Sequence, residues 1–308
     1  MLKPLEDLGI FSAASLRDRD FPDVSFIVDG VFPEGVTILA GKPKIGKSWL
    51  ALDIALSIAS PEATCLGRSV VHGDVLYCAL EDNKRRLKRR IKLCGGQWPE
   101  RLSLATEWPR LDDGGMARIK QWAQSVPEPK LIILDTLAKV RGEGTRNGQY
   151  AEDYEALEKL HHWAGEHGVA VLVLHHTRKM DAEDPFDTVS GTLGLTGCAD
   201  TIAVFHRSGG GVTLHVRGRD VEEAAHAMAF DKALCRWGIL GDAVEVRRSD
   251  IRNRILEVLK DAEEPLGPTE VARRLGEKPS TIKQRLYQMH HGGEVEKDKG
   301  GLYRHPDQ

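Results

Sequence analysis

Apolar and polar positions follow two different rhythms along this chain. From Val36 to about Phe230, short runs that are apolar at nearly every position recur: Val36–Ala40, Val75–Leu80, Leu131–Leu134, Val169–Leu174 and Thr201–Phe205. Each is flanked by Gly, Asp or His and reads as a strand. Apolar character on both faces is what a central parallel strand needs, because helices cover both sides of such a sheet. Between the runs, Trp49–Ala59, Arg85–Leu93, Met116–Trp122 and Ala151–His167 keep the helical period. Leu87 and Ile91 stand at i, i+4, and Leu157, Leu160, Trp163 and Ala164 lie on or near one face. Strands alternating with helices predict an α/β fold with a doubly wound, mostly parallel sheet.

This rhythm ends near Trp237–Glu245, and a second follows. Ile251–Leu259, Pro268–Leu275 and Pro279–His291 read as short helices, the first two separated by the breaker Pro265–Pro268. Gly292, Gly293 and Val295, then Lys297–Gly301 and Leu302–Arg304, predict a tight hairpin. Three helices and a hairpin form a winged-helix pattern. The expected division is a weakly patterned segment of no readable role (1–30), an α/β unit (31–245) and a winged-helix unit (246–308).

Composition narrows the classes. With 41% hydrophobic and 29% charged residues in 308, the chain can build a core, and disorder is excluded as its dominant state. The apolar runs fall far short of the about 18 residues of a membrane span. The opening residues Met1–Asp7 carry acids where a secretory signal would be apolar. The five cysteines (Cys65, Cys78, Cys94, Cys198, Cys235) form no C-x-x-C pair. No membrane partner and a reducing, cytoplasmic setting are therefore expected. A net charge of −3 argues against a histone-like protein and leaves local nucleic-acid contacts open, since charge placement matters more than its sum.

One motif carries chemistry directly. Gly41, Lys42, Pro43, Lys44, Ile45, Gly46, Lys47 and Ser48 fit G-x-x-x-x-G-K-[ST] between a strand and a helix that opens at Trp49. The glycines let consecutive N–H groups converge on one anion, and the helix adds its positive end. Lys47 would reach the β- and γ-phosphates and Ser48 would ligate Mg²⁺, so ATP with Mg²⁺ is expected. Asp135, closing Leu131–Leu134, is the second metal-holding oxygen. Thr136 stands where many ATPases place a water-activating Glu, so the base must come from elsewhere. Glu81, just past Val75–Leu80, is the candidate, with Asp82 as fallback. His175 and His176 end another strand; adjacent positions point to opposite faces, and His176 is favoured as the γ-phosphate sensor.

This assembly resembles the RecA-like ATPases, and within them the plasmid RepA-type and phage replicative helicases. The resemblance covers roughly residues 30–235 and rests on Gly41–Ser48, Ala79–Asp82, Leu131–Asp135 and Leu174–His176. It implies a RecA-like core, a homo-hexameric ring and single-stranded DNA in its channel. Where such proteins often carry Arg-Gly-Ser, this chain has Ser190, Gly191 and Thr192. Val216–Asp220 resembles the Lys-x-Arg finger motif, which makes Arg217 and Arg219 candidates to act on a neighbour's nucleotide; Arg207 is a third, and a solvated turn is the plain alternative.

DNA contacts have several candidates. Arg146 lies in a Gly-rich loop and Arg178 and Lys179 in a mixed-charge one, both placed by analogy near the channel. Lys84–Lys92 holds seven basic residues in nine and could meet DNA, an acidic neighbour surface or solvent. The third winged-helix helix carries Lys283 and Arg285 and no acid, yet residues 250–308 balance 11 basic against 11 acidic residues. The module could therefore meet duplex DNA or a protein. The readings that remain are a ring-forming replicative helicase, a recombination mediator, and an ATP-switched winged-helix regulator. A small-molecule kinase would leave the winged helix without a use.

Overall fold

The computed structural model describes residues 10–17, 19–21, 23–141, 149–178, 182–189, 197–208 and 211–306. All five apolar runs form strands: β1 (Gly35–Gly41), β2 (Asp74–Ala79), β4 (Pro129–Asp135), β5 (Ala170–His176) and β6 (Thr201–Ser208). A short edge strand, β3 (Leu102–Ala105), joins them, and β7 (Gly211–Gly218), β8 (Ala224–Asp231) and β9 (Arg236–Asp242) follow. Among the described residues these make one nine-stranded sheet in the order β9-β8-β7-β6-β1-β5-β4-β2-β3. From β6 to β3 neighbours are parallel; from β6 to β9 they are antiparallel.

Helices cover both faces of the parallel part, as double winding requires. Helices α1 (Lys47–Ala59) and α2 (Lys84–Leu93) share one core with Leu172 and Leu174 of β5. Helices α3 (Met116–Ser125) and α4 (Gln149–His167) share the other with Val171 and Val173. The two-residue alternation of a strand therefore sets His176 on the α1 side.

Two features depart from the expectation. Apart from a late strand ending near Val216, the apolar rhythm does not separate the strands of the β7–β9 extension, because much of it is only partly buried and its apolar residues are interrupted by His, Arg and Gly. The first winged-helix helix is also longer than Ile251–Leu259: α5 runs Ala243–Lys260, with Asp242 accepting from the N–H groups of Val244 (2.9 Å) and Glu245 (3.1 Å). Its first half packs on β8 and β9 and its second half enters a separate core, so the division placed at 245/246 falls inside a continuous helix. That second core unites Ile255, Leu259, Val271, Ile282, Leu286 and Tyr303 from α5, α6 (Pro268–Leu275), α7 (Pro279–His291) and the wing Glu296–Lys297/Tyr303–Arg304. Among the described residues no helix is long and apolar enough to cross a membrane.

Candidate active site

The loop between β1 and α1 takes left-handed backbone at Lys44 (φ 64°) and at Gly46 (φ 114°). Gly46 is required twice over: its dihedral suits glycine, and a Cβ would stand 2.8 Å from the Trp237 ring. The Trp237 indole N–H donates to the Gly46 carbonyl at 3.1 Å. Below the loop opens a cleft of about 740 Å³ lined by Pro43, Lys44, Gly46, Lys47, Ser48 and Trp49, with Glu81, Asp135, Thr136 and His176 opposite. Gly41 pairs with His176 in the β1/β5 register, and Ala79 pairs with Asp135 in β2/β4. Four strand tips thereby converge on one place.

Lys47 is buried and donates to the carbonyls of Gly41 (2.7 Å) and Lys42 (3.3 Å). Burial pulls its ammonium down to about 8, against the pull of Asp135 and Glu81. Its Nζ lies 3.4 Å from His176 Nδ1. A charged ammonium only donates, so Nδ1 accepts and the imidazole proton sits on Nε2. Asp135 is held between the Ser48 hydroxyl and the phenol of Tyr77, which donates at 3.0 Å from the neighbouring strand. Burial pushes the Asp135 carboxyl up, and both hydrogen bonds oppose this. A buried carboxylate beside a hydroxyl fits a hard cation with oxygen ligands, Mg²⁺ above others. Among the described residues no group of three or more His, Cys, Asp or Glu gathers as a metal cage. Such a cation would thus share Ser48 and Asp135 with phosphate oxygens.

The two acids after β2 separate clearly. Asp82 is taken by Arg86 (2.9 Å) and Arg90 (2.6 Å). The Glu81 carboxylate instead accepts from the Thr136 hydroxyl at 3.3 Å. Thr136, noted in the sequence only as a missing Glu, therefore holds the candidate base in place. Sequence reasoning also missed Tyr77, which looks like ordinary core, and Arg236 and Trp237. Helix α2 also contributes to the cleft: Arg86, Arg89 and Arg90 line it, and the Arg90 guanidinium sits 4.5 Å over the Trp49 ring.

Arg217 and Arg219 lie away from this cleft. Gly218 pairs with Thr201, which pairs with Thr37, whereas the loop begins at Gly41, so both arginines stand at the opposite end of the strands. Arg217 is gripped by Glu223 (2.7 Å) and Asp184 (3.0 Å) and rests 4.1 Å over Phe186. Arg219 lies 3.6 Å from Asp200. Arg207 is the one of the three at the loop end of the sheet, two residues past Phe205, which pairs with Gly41. Arg178 is exposed just after β5, and Lys283 is exposed on α7 beside a half-buried Arg285 that bonds Gln288. Arg146, Lys179 and Ser190–Thr192 lie outside the described residues.

The chain matches a family described as the AAA domain over residues 6–182, more than half its length, and the IclR helix-turn-helix domain over residues 253–299. No curated protein matches it. In fold it is similar to a DnaB-like replicative helicase solved for its interactions with primase, with TM-score 0.57 and 14% identity over 70% of this chain. It spans 62% of that protein's length. It is also similar to a second solved structure, described as an ATPase domain, with TM-score 0.55 and 14% identity over 77% of this chain and 97% of that one. At such identity the likeness concerns the fold, a RecA-like P-loop ATPase core.

Proposed function

This chain belongs to the AAA domain family, and from that premise we propose that it is an ATP-hydrolysing motor on single-stranded DNA, a ring-forming replicative helicase that works as a hexamer. The observation that carries this reading is the convergence of Lys47, Ser48, Asp135, Glu81 and His176 on one cleft of a helicase-like core. The loop N–H groups and Lys47 bind the β- and γ-phosphates, and Ser48 and Asp135 would hold Mg²⁺, which would supply charge neutralisation there. Glu81, oriented by Thr136, takes the proton of a water whose oxygen bonds to the γ-phosphorus as the bridging P–O bond to ADP breaks. His176 donates from Nε2 to a γ-oxygen. Arg217 and Arg219, at the far end of the strands from their own cleft, would act on the nucleotide of a neighbouring subunit.

The winged helix is read as a duplex-DNA contact. Elsewhere in the module Arg252, Arg254, Arg273, Arg274 and Arg304 each bond a carboxylate. Lys283 and Arg285 have no such partner among the described residues, nor do Lys278 before α7 and Lys297 and Lys299 of the wing, so positive charge without a carboxylate partner lies on α7 and the wing.

The test is ATPase activity with and without single-stranded DNA, and strand displacement on a forked duplex, with Lys47→Ala as control. DNA-stimulated hydrolysis with displacement is the expected result. Stimulation without displacement removes the helicase and leaves a recombination mediator. One observation favours a further reading, an ATP-switched DNA-binding regulator: β9 touches the phosphate loop through Trp237 and runs directly into α5 of the winged helix. Hydrolysis indifferent to single-stranded DNA, with duplex affinity that follows the nucleotide, would select it.

A further inference from the structure

Helix α2 carries more positive charge than the active site uses. Arg86 and Arg90 hold Asp82, and Arg89 lines the cleft. Lys84, Arg85, Lys88 and Lys92 remain, all exposed and without a carboxylate partner among the described residues. Within the chain this arrangement is unfavourable. The first turn has no acid and opens with Lys84, Arg85 and Arg86 at the positive end of the helix dipole. Lys84/Lys88 and Lys88/Lys92 are like-charge pairs at i, i+4, each destabilising by about 0.2–0.5 kcal/mol. A surface that costs the monomer stability calls for an anionic partner.

The complementary surface is on the same chain but out of its own reach. Around the Arg217 node, Asp184 and Glu223 are occupied, while Glu183, Asp187, Asp220 and Glu222 are exposed and carry no ion pair among the described residues. The turn between β7 and β8 lies at the end of the strands opposite the phosphate loop, and β7 is five strand positions from β2. That is roughly 24 Å across the sheet, well beyond a Debye length of about 8 Å. Two unlike, oppositely charged patches on one chain favour head-to-tail contact between copies, which closes rings or extends filaments.

We infer that the exposed face of α2, formed by Lys84, Arg85, Lys88 and Lys92, is the docking surface for a second copy of this chain, which seats its β7–β8 turn and 183–187 segment there. The inference rests on the reading of the chain as an assembling ATPase and names the surface that assembles it. Since α2 also lines the cleft, this contact carries one copy's Arg217 and Arg219 towards the next copy's nucleotide.

The test is charge exchange. Lys84→Glu with Arg85→Glu and Lys88→Glu should weaken assembly at least tenfold by sedimentation with Mg²⁺ and a non-hydrolysable ATP analogue, with a monomer melting temperature that is raised rather than lowered. Asp220→Lys with Glu222→Lys should do the same, and assembly of wild type should weaken as salt rises. Both sets combined, in one chain, should restore assembly, which damage to the fold cannot do. If either set assembles like wild type, or the combination stays apart, the inference is overturned. It is equally overturned if the α2 set assembles normally but loses affinity for oligo-dT, which would make the face a DNA site. A wild-type chain that never assembles overturns the assembling reading and this inference with it; wild-type assembly indifferent to α2 overturns this inference alone.

Discussion

The parallel part of the sheet meets the candidate cleft with the tips of its strands, where Glu81, Asp135 and His176 line it, whereas the antiparallel part reaches the phosphate loop and its helix with side chains of one strand, Trp237 on Gly46 and Arg236 on Asp53. In the parallel part the groups can change protonation or ligate. In the antiparallel part they fix position: Trp237 packs on Phe205 and Phe230 at 5.1 Å each and bonds Gly46, and Arg236 lies 3.1 Å from Asp53 of α1. In the proposed reading one set performs the chemistry, and the other keeps the loop and its helix in place for it. Substitutions should therefore separate turnover from stability according to the part they touch.

The largest expected effect challenges this division. If β7 supplies fingers to a neighbour, Arg217→Ala or Arg219→Ala should lower turnover of the assembled protein by about 10³-fold or more while ATP binding stays near normal. Wild-type turnover in both would return the antiparallel part to a purely supporting role. Glu81→Gln comes next, with turnover down about 10²–10⁴-fold and nucleotide affinity retained. Asp82→Asn, which removes the partner of Arg86 and Arg90, should instead appear in thermal stability; an equal loss of turnover from both would defeat the assignment of the base. Trp237→Ala should cost about 3–5 kcal/mol of unfolding free energy by denaturant titration. Trp237→Phe, which keeps most of the packing, should cost about 1 kcal/mol for the lost hydrogen bond.

The same contrast explains what can be read without coordinates. The parallel strands are legible because burial on both faces makes them apolar throughout, and the phosphate loop because its backbone demands fixed residue types at fixed spacing. Asp135 and Glu81 follow from standing at strand tips. Tyr77 does not, because a tyrosine within Val75–Leu80 looks like core until the neighbouring strand places Asp135 beside its hydroxyl. Trp237 and Arg236 act on Gly46 and Asp53 across more than 180 residues of sequence, and no local pattern announces such a contact. In α5 only the half facing the second core has an apolar period, so its first half reads as the end of the α/β unit.

Asp53 tests the supporting part through pH. Burial raises its carboxyl to about 6, and Arg236 opposes this through an ion pair whose N–H is not aimed at the oxygen. A folded-state pKa raised above the unfolded value gives stability that is full below about 4 and is lost as pH rises through 6, to about 3 kcal/mol. Asp53→Asn cannot ionise, so the difference in unfolding free energy between variant and wild type should move in the variant's favour from pH 4 to 7. A constant difference would remove Asp53 as the source.

Tyr77 marks the smallest step and sits on the border between the two roles. Its ring is buried core, and its hydroxyl donates to the carboxylate read as holding Mg²⁺. Tyr77→Phe removes one hydrogen bond and leaves the ring, so about 1 kcal/mol of unfolding free energy is expected. A purely structural tyrosine would stop there. If it positions Asp135, Mg²⁺-dependent binding of a fluorescent ATP analogue should need several-fold more Mg²⁺, while binding without Mg²⁺ stays unchanged. Equal Mg²⁺ dependence in both proteins would return Tyr77 to the core, and the chemistry of the parallel part would then end at its strand tips.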